Sequence, residues 1–164
     1  MRVPPLLLTA LLPLALGACF LDIGACSYEH RTLVLDGTAT GAIAGTPATP
    51  LAVSLMLNET RNANPDFRVL NLTFTGQLDG SFSAAELRDA STSPATVLAA
   101  WPGVPWNPNI DLQTASPSHE MLATLARAGK LHIALAFGST GSNGAMDAQL
   151  RVTEDGDWLH PRCD

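Results

Sequence analysis

The side chains able to do chemistry are few and scattered. His119 and Glu120 stand together at the start of a helical pattern, but no second histidine follows one turn later, so the paired-histidine zinc protease motif is absent. A helix N-terminus carrying a favourable acid accounts for the pair. Ser116, Ser118 and His119 make no hydrolase triad, because neither serine sits in the small-residue turn that exposes a nucleophile. His30 and His160 flank Cys26 and Cys163, and two histidines alone do not make a structural zinc site. Trp101 and Trp106 lie in or beside a stretch, Pro102–Pro108, whose three prolines exclude regular structure. Aromatic rings on a stiff loop are a common way to hold a carbohydrate or a peptide, which makes these two the ligand-binding candidates. The competing reading packs both rings over one end of the core.

Asp79, Gly80, Phe82 and Glu86 fit the second half of a calcium-binding EF-hand loop: a ligand, the sharp turn, an apolar anchor and a bidentate carboxylate. Thr75 and Gln77 occupy the first two ligand positions in place of acids, and the preceding stretch reads as strand. Asp79 and Glu86 are therefore the calcium candidates, against a turn followed by a capped helix. No catalytic residue, no other metal site and no cofactor is implied.

The start of the chain carries an address. Arg2 precedes a nearly all-apolar run, Leu6–Leu16, which falls short of the roughly 20 residues of a membrane-spanning helix and reads as an export signal. It ends in Leu16-Gly17-Ala18-Cys19, which resembles a bacterial lipobox. That resemblance implies cleavage after Ala18, lipid on Cys19 (a diacylglycerol thioether with palmitate-type chains) and a membrane partner through that lipid. Phe20 rather than Asp follows the cysteine, which points to the outer membrane if the source is Gram-negative. An ordinary signal and a secreted protein are the second choice.

Loss of residues 1–18 takes Arg2 with it and leaves 146 of the 164 residues, with eight basic against 15 acidic side chains. An acidic exported chain lacks the clustered Lys and Arg that phosphate backbones require, so nucleic acid is not an expected partner. With lipid on Cys19, Cys26 and Cys163 remain as an even pair, and an oxidising compartment favours a disulfide between them. Such a link requires the two ends of the domain to meet.

The elements that must position these residues are mostly strands. Leu131, Ile133, Leu135 and Phe137 alternate with Lys130, His132, Ala134 and Ala136, which puts His132 on the solvent side. After the glycine-rich turn Gly138–Gly144, Met146, Ala148, Leu150 and Val152 alternate in the same way. Leu51–Leu57 and Leu70–Phe74 form a second alternating pair around a polar turn with Pro65. His30–Asp36, Thr38–Ile43 and Val97–Trp101 are further strands. Ser83-Ala84-Ala85-Glu86 matches a helix capping box, predicting a helical turn to about Asp89. A helix over about 117–128 is capped by Ser116 or Ser118, carries Met121, Leu122, Leu125 and Ala126 on one face, and ends at Gly129. The tail, 154–164, returns along one edge with Trp158 and Leu159 covering it. The chain therefore divides into a signal (1–18), a tether (19–29) and one domain (30–164), expected to be an antiparallel Greek-key-type β-sandwich with one short helix.

The segment Leu122–Ser139, its glycine-rich turn and Asp147–Val152 together resemble the C-terminal half of a CHRD (chordin-type) domain: a leucine-rich helical turn, a glycine, a strand, a glycine-rich loop and a last strand. Gly37–Pro50 and the Leu51–Gly76 hairpin extend the likeness loosely over most of 31–153. The resemblance implies an extracellular β-sandwich module, in a family often compared with copper–zinc superoxide dismutase. The family's His-x-His segment corresponds to Ala84–Asp89, which has no histidine, and Ala136 and Phe137 stand where it has another. It thus implies a divergent, metal-free member: a non-catalytic, lipid-anchored surface module, binding or structural, with a carbohydrate or a protein as possible ligand. The alternative is a metal-dependent, dismutase-like enzyme or a calcium-responsive domain.

Overall fold

Alternation of apolar with small or polar residues dominates the chain and builds extended backbone. The computed structural model describes residues 28–61, 67–76, 82–102, 109–111, 117–138 and 144–160. Its strands are β1 (Glu29–Ile43), β2 (Thr46–Pro47), β3 (Leu51–Arg61), β4 (Phe67–Thr75), β5 (Phe82–Asp89), β6 (Thr96–Pro102), β7 (Asn109–Asp111), β8 (Leu131–Phe137), β9 (Gly144–Gln149) and β10 (Arg151–Asp155); the helix α1 spans His119–Arg127. The fold is mainly antiparallel β with one short helix. Strands follow the path β6-β5-β8-β9-β1-β3-β4-β7, and β2 and β10 also pair with β1.

This sheet curls into two layers because β1 belongs to both. Residues 29–39 of β1 pair with β3, and residues 40–43 pair with β9. Gly37 marks the change: a Cβ there would lie 2.7 Å from the carbonyl oxygen of Gln149, too close for any side chain. The chain on the other side makes the same passage in reverse. β9 ends at Gln149, Leu150 donates its N–H to the Leu131 carbonyl at 2.9 Å, and β10 then pairs with β1 at Leu33–Asp36. The single long strand expected over 146–153 is thus divided where it changes layers.

One core lies between the layers. Leu33 and Leu35 of β1, Leu51, Val53, Leu55 and Leu57 of β3, Leu70, Leu72 and Phe74 of β4, and Leu131, Ile133, Leu135 and Phe137 of β8 are all buried in it. Two expectations fail locally. The helical turn over Ser83–Asp89 is instead strand β5, with Ala85 and Leu87 inward between β6 and β8. Paired neighbours on both sides outweigh a four-residue capping match. The separate strands at His30–Asp36 and Thr38–Ile43 are one continuous β1.

The helix forms where its caps place it. Ser118 is the N-cap, accepting from the Met121 N–H at 3.2 Å. At the other end Gly129 has φ +66°, its N–H donates to the Ala126 carbonyl and that of Lys130 to the Leu125 carbonyl, a complete Schellman closure. The buried face is His119, Leu122, Ala123 and Ala126. Met121 is 37% exposed, and Leu125 is only partly buried, so the face is rotated from the one the leucine and methionine spacing indicates. Small alanines let the helix approach closely, and His119 is drawn inward by polar partners described below. Leu122→Ala is expected to cost about 2–5 kcal/mol in chemical denaturation, and Met121→Ala under about 0.5 kcal/mol. The reverse ranking would place the helix face wrongly.

Candidate functional site

Beyond Leu33 and Leu57 the inward face of β1 and β3 stops being apolar. The same side-chain parity continues into Arg31 and Glu29 on β1 and into Glu59 and Arg61 on β3. Register makes Arg31 the partner of Glu59 and Glu29 the partner of Arg61, and Arg68 on β4 faces Glu59 from the other side. Cross-strand neighbours on one face are close enough to pair directly.

Glu59 is the centre. It is 2% exposed. Its Oε2 accepts from Arg31 Nε at 2.7 Å, and its Oε1 lies 2.7 Å from Arg68 Nε. The backbone N–H of His119, at the first turn of α1, also donates to Oε1 at 3.3 Å. One carboxylate thereby joins β1, β4 and the helix N-terminus. His119 is itself buried, and its Nε2 donates to Asp155 Oδ1 at 2.6 Å, since an ionised carboxylate only accepts. Its Nδ1 meets no hydrogen-bond partner among the described residues. Asp155 Oδ2 receives Arg127 from the last turn of α1. Glu29 is held through Oε2 by Arg61 and through Oε1 by His160 Nε2 at 2.9 Å. The tail closes the group: the guanidinium carbons of Arg31 and Arg61 lie 4.4 and 4.1 Å from the ring centroid of Trp158.

Between helix and tail lies an open cleft of about 300 Å³, lined by Arg31, His119, Glu120, Arg127, Asp155 and Trp158. Arg31 crosses it to Glu120 at 2.6 Å. Each guanidinium in the lining has a carboxylate partner.

Of the residues singled out from sequence, His119, Glu120 and His160 fall in this network, and the ligand, calcium, lipid and disulfide candidates do not. Trp101 is 3% exposed, a member of the core, and its indole N–H finds no acceptor among the described residues. It presents no ring to a ligand in this structure. Trp106, Asp79, Cys19, Cys26 and Cys163 lie outside the described residues. Glu86 stands in strand β5 and accepts from Arg88 Nε and Nη2 at 2.9 and 2.7 Å. His132 pairs with Asp147, Nδ1 to Oδ1 at 2.6 Å. Among the described residues no group of three or more His, Cys, Asp or Glu converges as a metal site. The charged end of the sheet was not among the sequence candidates, although a signal existed: Glu59 continues the parity of Leu51–Leu57, and Arg31 that of Leu33 and Leu35. Comparison with protein families, curated proteins and solved structures finds no match for this chain.

The network predicts acid sensitivity. Three of its carboxyls sit below their ordinary values: Glu29 through the hydrogen bond from Arg61, Glu120 through that from Arg31, and Asp155 through that from His119 and then Arg127. Folding therefore favours their charged forms. Their contribution is complete above the unfolded carboxylate range, about pH 4, and is lost as pH falls through the lower folded values. Melting temperature should be level near neutrality and drop below about pH 4, and Asp155→Asn should shrink that drop. A melting temperature unchanged between neutral and acid pH would contradict the network.

Proposed function

We propose that this chain is a non-catalytic module of a bacterial cell envelope, held to the membrane by lipid on Cys19, with a β domain that binds or supports rather than turns over a substrate. The observation that carries this reading is the state of the carboxylates where charge converges. Glu59, Asp155 and Glu29 each have both oxygens occupied by Arg or His partners from other elements. A carboxylate so held is a fastener; a general base needs an oxygen directed at a substrate proton. The lipobox-like Leu16–Cys19 at the end of an apolar run supports the anchoring, and the low basic content supports a partner other than nucleic acid. The extracellular setting in this reading rests on the sequence resemblance of Leu122–Ser139 and Asp147–Val152 to a CHRD-type module. The ligand class in that reading is a carbohydrate or a protein.

Expression with its own signal in a Gram-negative host should give a membrane-associated protein whose N-terminal peptide begins at Cys19 with acyl mass added. Cys19→Ala should release it into the soluble fraction. An unlipidated N-terminus at another residue would overturn the anchoring, and stoichiometric copper or zinc in the purified protein would favour the dismutase-like enzyme.

A further inference from the structure

We infer that the outer face of β1, β3 and β4, at the end where β1 begins, rests on the lipid surface to which Cys19 tethers the domain. Cross-strand pairing assembles that face one row at a time. His30 pairs with Thr60 and Thr60 with Phe67, so all three side chains leave the sheet on the side away from the core. The tail extends the row: Leu159 exchanges both backbone hydrogen bonds with His30, at 3.1 and 2.8 Å, and takes the same side. Tyr28 lies beside them, its ring centroid 6.5 Å from that of the His30 ring.

The row is apolar and open. Leu159 is 57% exposed, Phe67 43% and Tyr28 38%. Thr32, Asn58 and Val69 make the next outward row, and Val34, Met56 and Asn71 the one after it. Six large apolar side chains stand exposed among the described residues, and four of them (Tyr28, Met56, Phe67 and Leu159) are on this face. Soluble monomers scatter such residues singly; a cluster marks a contact surface. On β1, β3 and β4 the three rows carry no Asp, Glu, Lys or Arg, in a chain with 15 acidic and nine basic side chains.

Two facts choose lipid as the occupant. The first is reach. Cys19 lies nine residues before Tyr28, and nine residues span at most about 30 Å. A lipid on Cys19 therefore keeps the start of β1 within that distance of the bilayer. The second is charge. The mature chain is net negative, so an anionic bilayer repels most of its surface, and a face without acids is where approach costs least. Tyr and Phe suit that boundary, with apolar rings at the acyl chain ends and the Tyr hydroxyl among the headgroups. The acyl chains hold the protein at the membrane; the seat fixes which way the domain faces.

This inference rests on the lipid anchor proposed above, and the test separates the two. The full chain is expressed with its own signal, purified with its lipid and reconstituted into vesicles of phosphatidylethanolamine and phosphatidylglycerol. Hydroxyl-radical labelling, read by mass spectrometry, is compared with that of the soluble Cys19→Ala variant. Labelling of Tyr28, Phe67 and Leu159 should fall roughly threefold or more on vesicles, as for side chains seated about 5–10 Å into the headgroup boundary. Val97 of β6 and Met121 of α1, comparably exposed on other elements, should keep the labelling of the soluble form. Phe67→Asp should leave the protein on the vesicles and restore the labelling of Tyr28 and Leu159. Unchanged labelling of the row on vesicles carrying acylated protein, or protection that survives Phe67→Asp, would overturn the seat and leave the anchor. An N-terminal peptide without acyl mass would overturn both. Protection of the row in the soluble variant that fades on dilution would give the face to a second copy of the chain and overturn the seat.

Discussion

A carboxylate inside a protein must be neutralised and hydrogen-bonded, or it costs several kcal/mol. Glu59 meets that requirement with groups from three elements: Arg31 of β1, Arg68 of β4 and the His119 N–H of α1. The obligation runs outward from there. Arg31 and Arg68 fix the end of the β1–β3–β4 sheet, and the bond to His119 fixes where the helix begins. His119, carried inward, then needs Asp155, and Asp155 draws the tail and Arg127 together. An ion cluster of this kind is a poor source of net stability relative to apolar packing of the same shape. Its contribution lies in registry, since the observed pairing of β1, β3 and β4 sets Arg31 and Arg68 on either side of Glu59.

The fastener lies away from the crossover of the curled sheet. β1 passes from one layer to the other near residues 39–40, and the charged network lies at its opposite end, the corner at Glu29 and Arg31. There β10 has β1 on one side and the helix on the other. Apolar side chains fill the corner only up to Leu33 and Leu57; beyond them the inward positions are charged. Helix and tail close it from outside, with Leu122, Ala123 and Ala126 meeting the core and Trp158 covering Arg31 and Arg61. The cleft that remains is a by-product of this closure. Its two guanidinium groups already have carboxylate partners, so an anionic ligand entering it would compete with the pairs Arg31–Glu120 and Arg127–Asp155.

Much of the sheet is legible in sequence because a half-buried strand writes its burial at every second residue. Leu51–Leu57, Leu70–Phe74 and Leu131–Phe137 state their inward faces directly, and Ser118 and Gly129 mark the helix ends by chemistry that is local. Ser83–Glu86 shows the limit of local signals: the same residue types that cap a helix also fit a strand, and neighbours on both sides decide. The charged corner is harder to read. Glu59 and Arg61 look like a strand becoming polar as it nears a turn, and only continued parity with Leu55 and Leu57 hints that they point inward. Asp155 and Trp158 carry no periodic signal at all, because a tail that docks through single side chains has no repeat to show. Trp101 misleads in the opposite sense: beside prolines it suggests an exposed platform, and the fold places it in the core.

If Glu59 is the fastener on which helix and tail both depend, removing its charge while keeping its shape is the direct measurement. Glu59→Gln leaves Arg31 and Arg68 facing a neutral amide, with Arg31 keeping only its exposed partner Glu120. Chemical denaturation should show a loss of about 3–5 kcal/mol, as for one partner taken from a buried ion pair. Hydrogen exchange should show that loss at the first turn of α1 and in the tail. A loss below about 0.5 kcal/mol, with protection of helix and tail unchanged, would mean that the apolar core alone holds this corner and that the network is incidental to the fold.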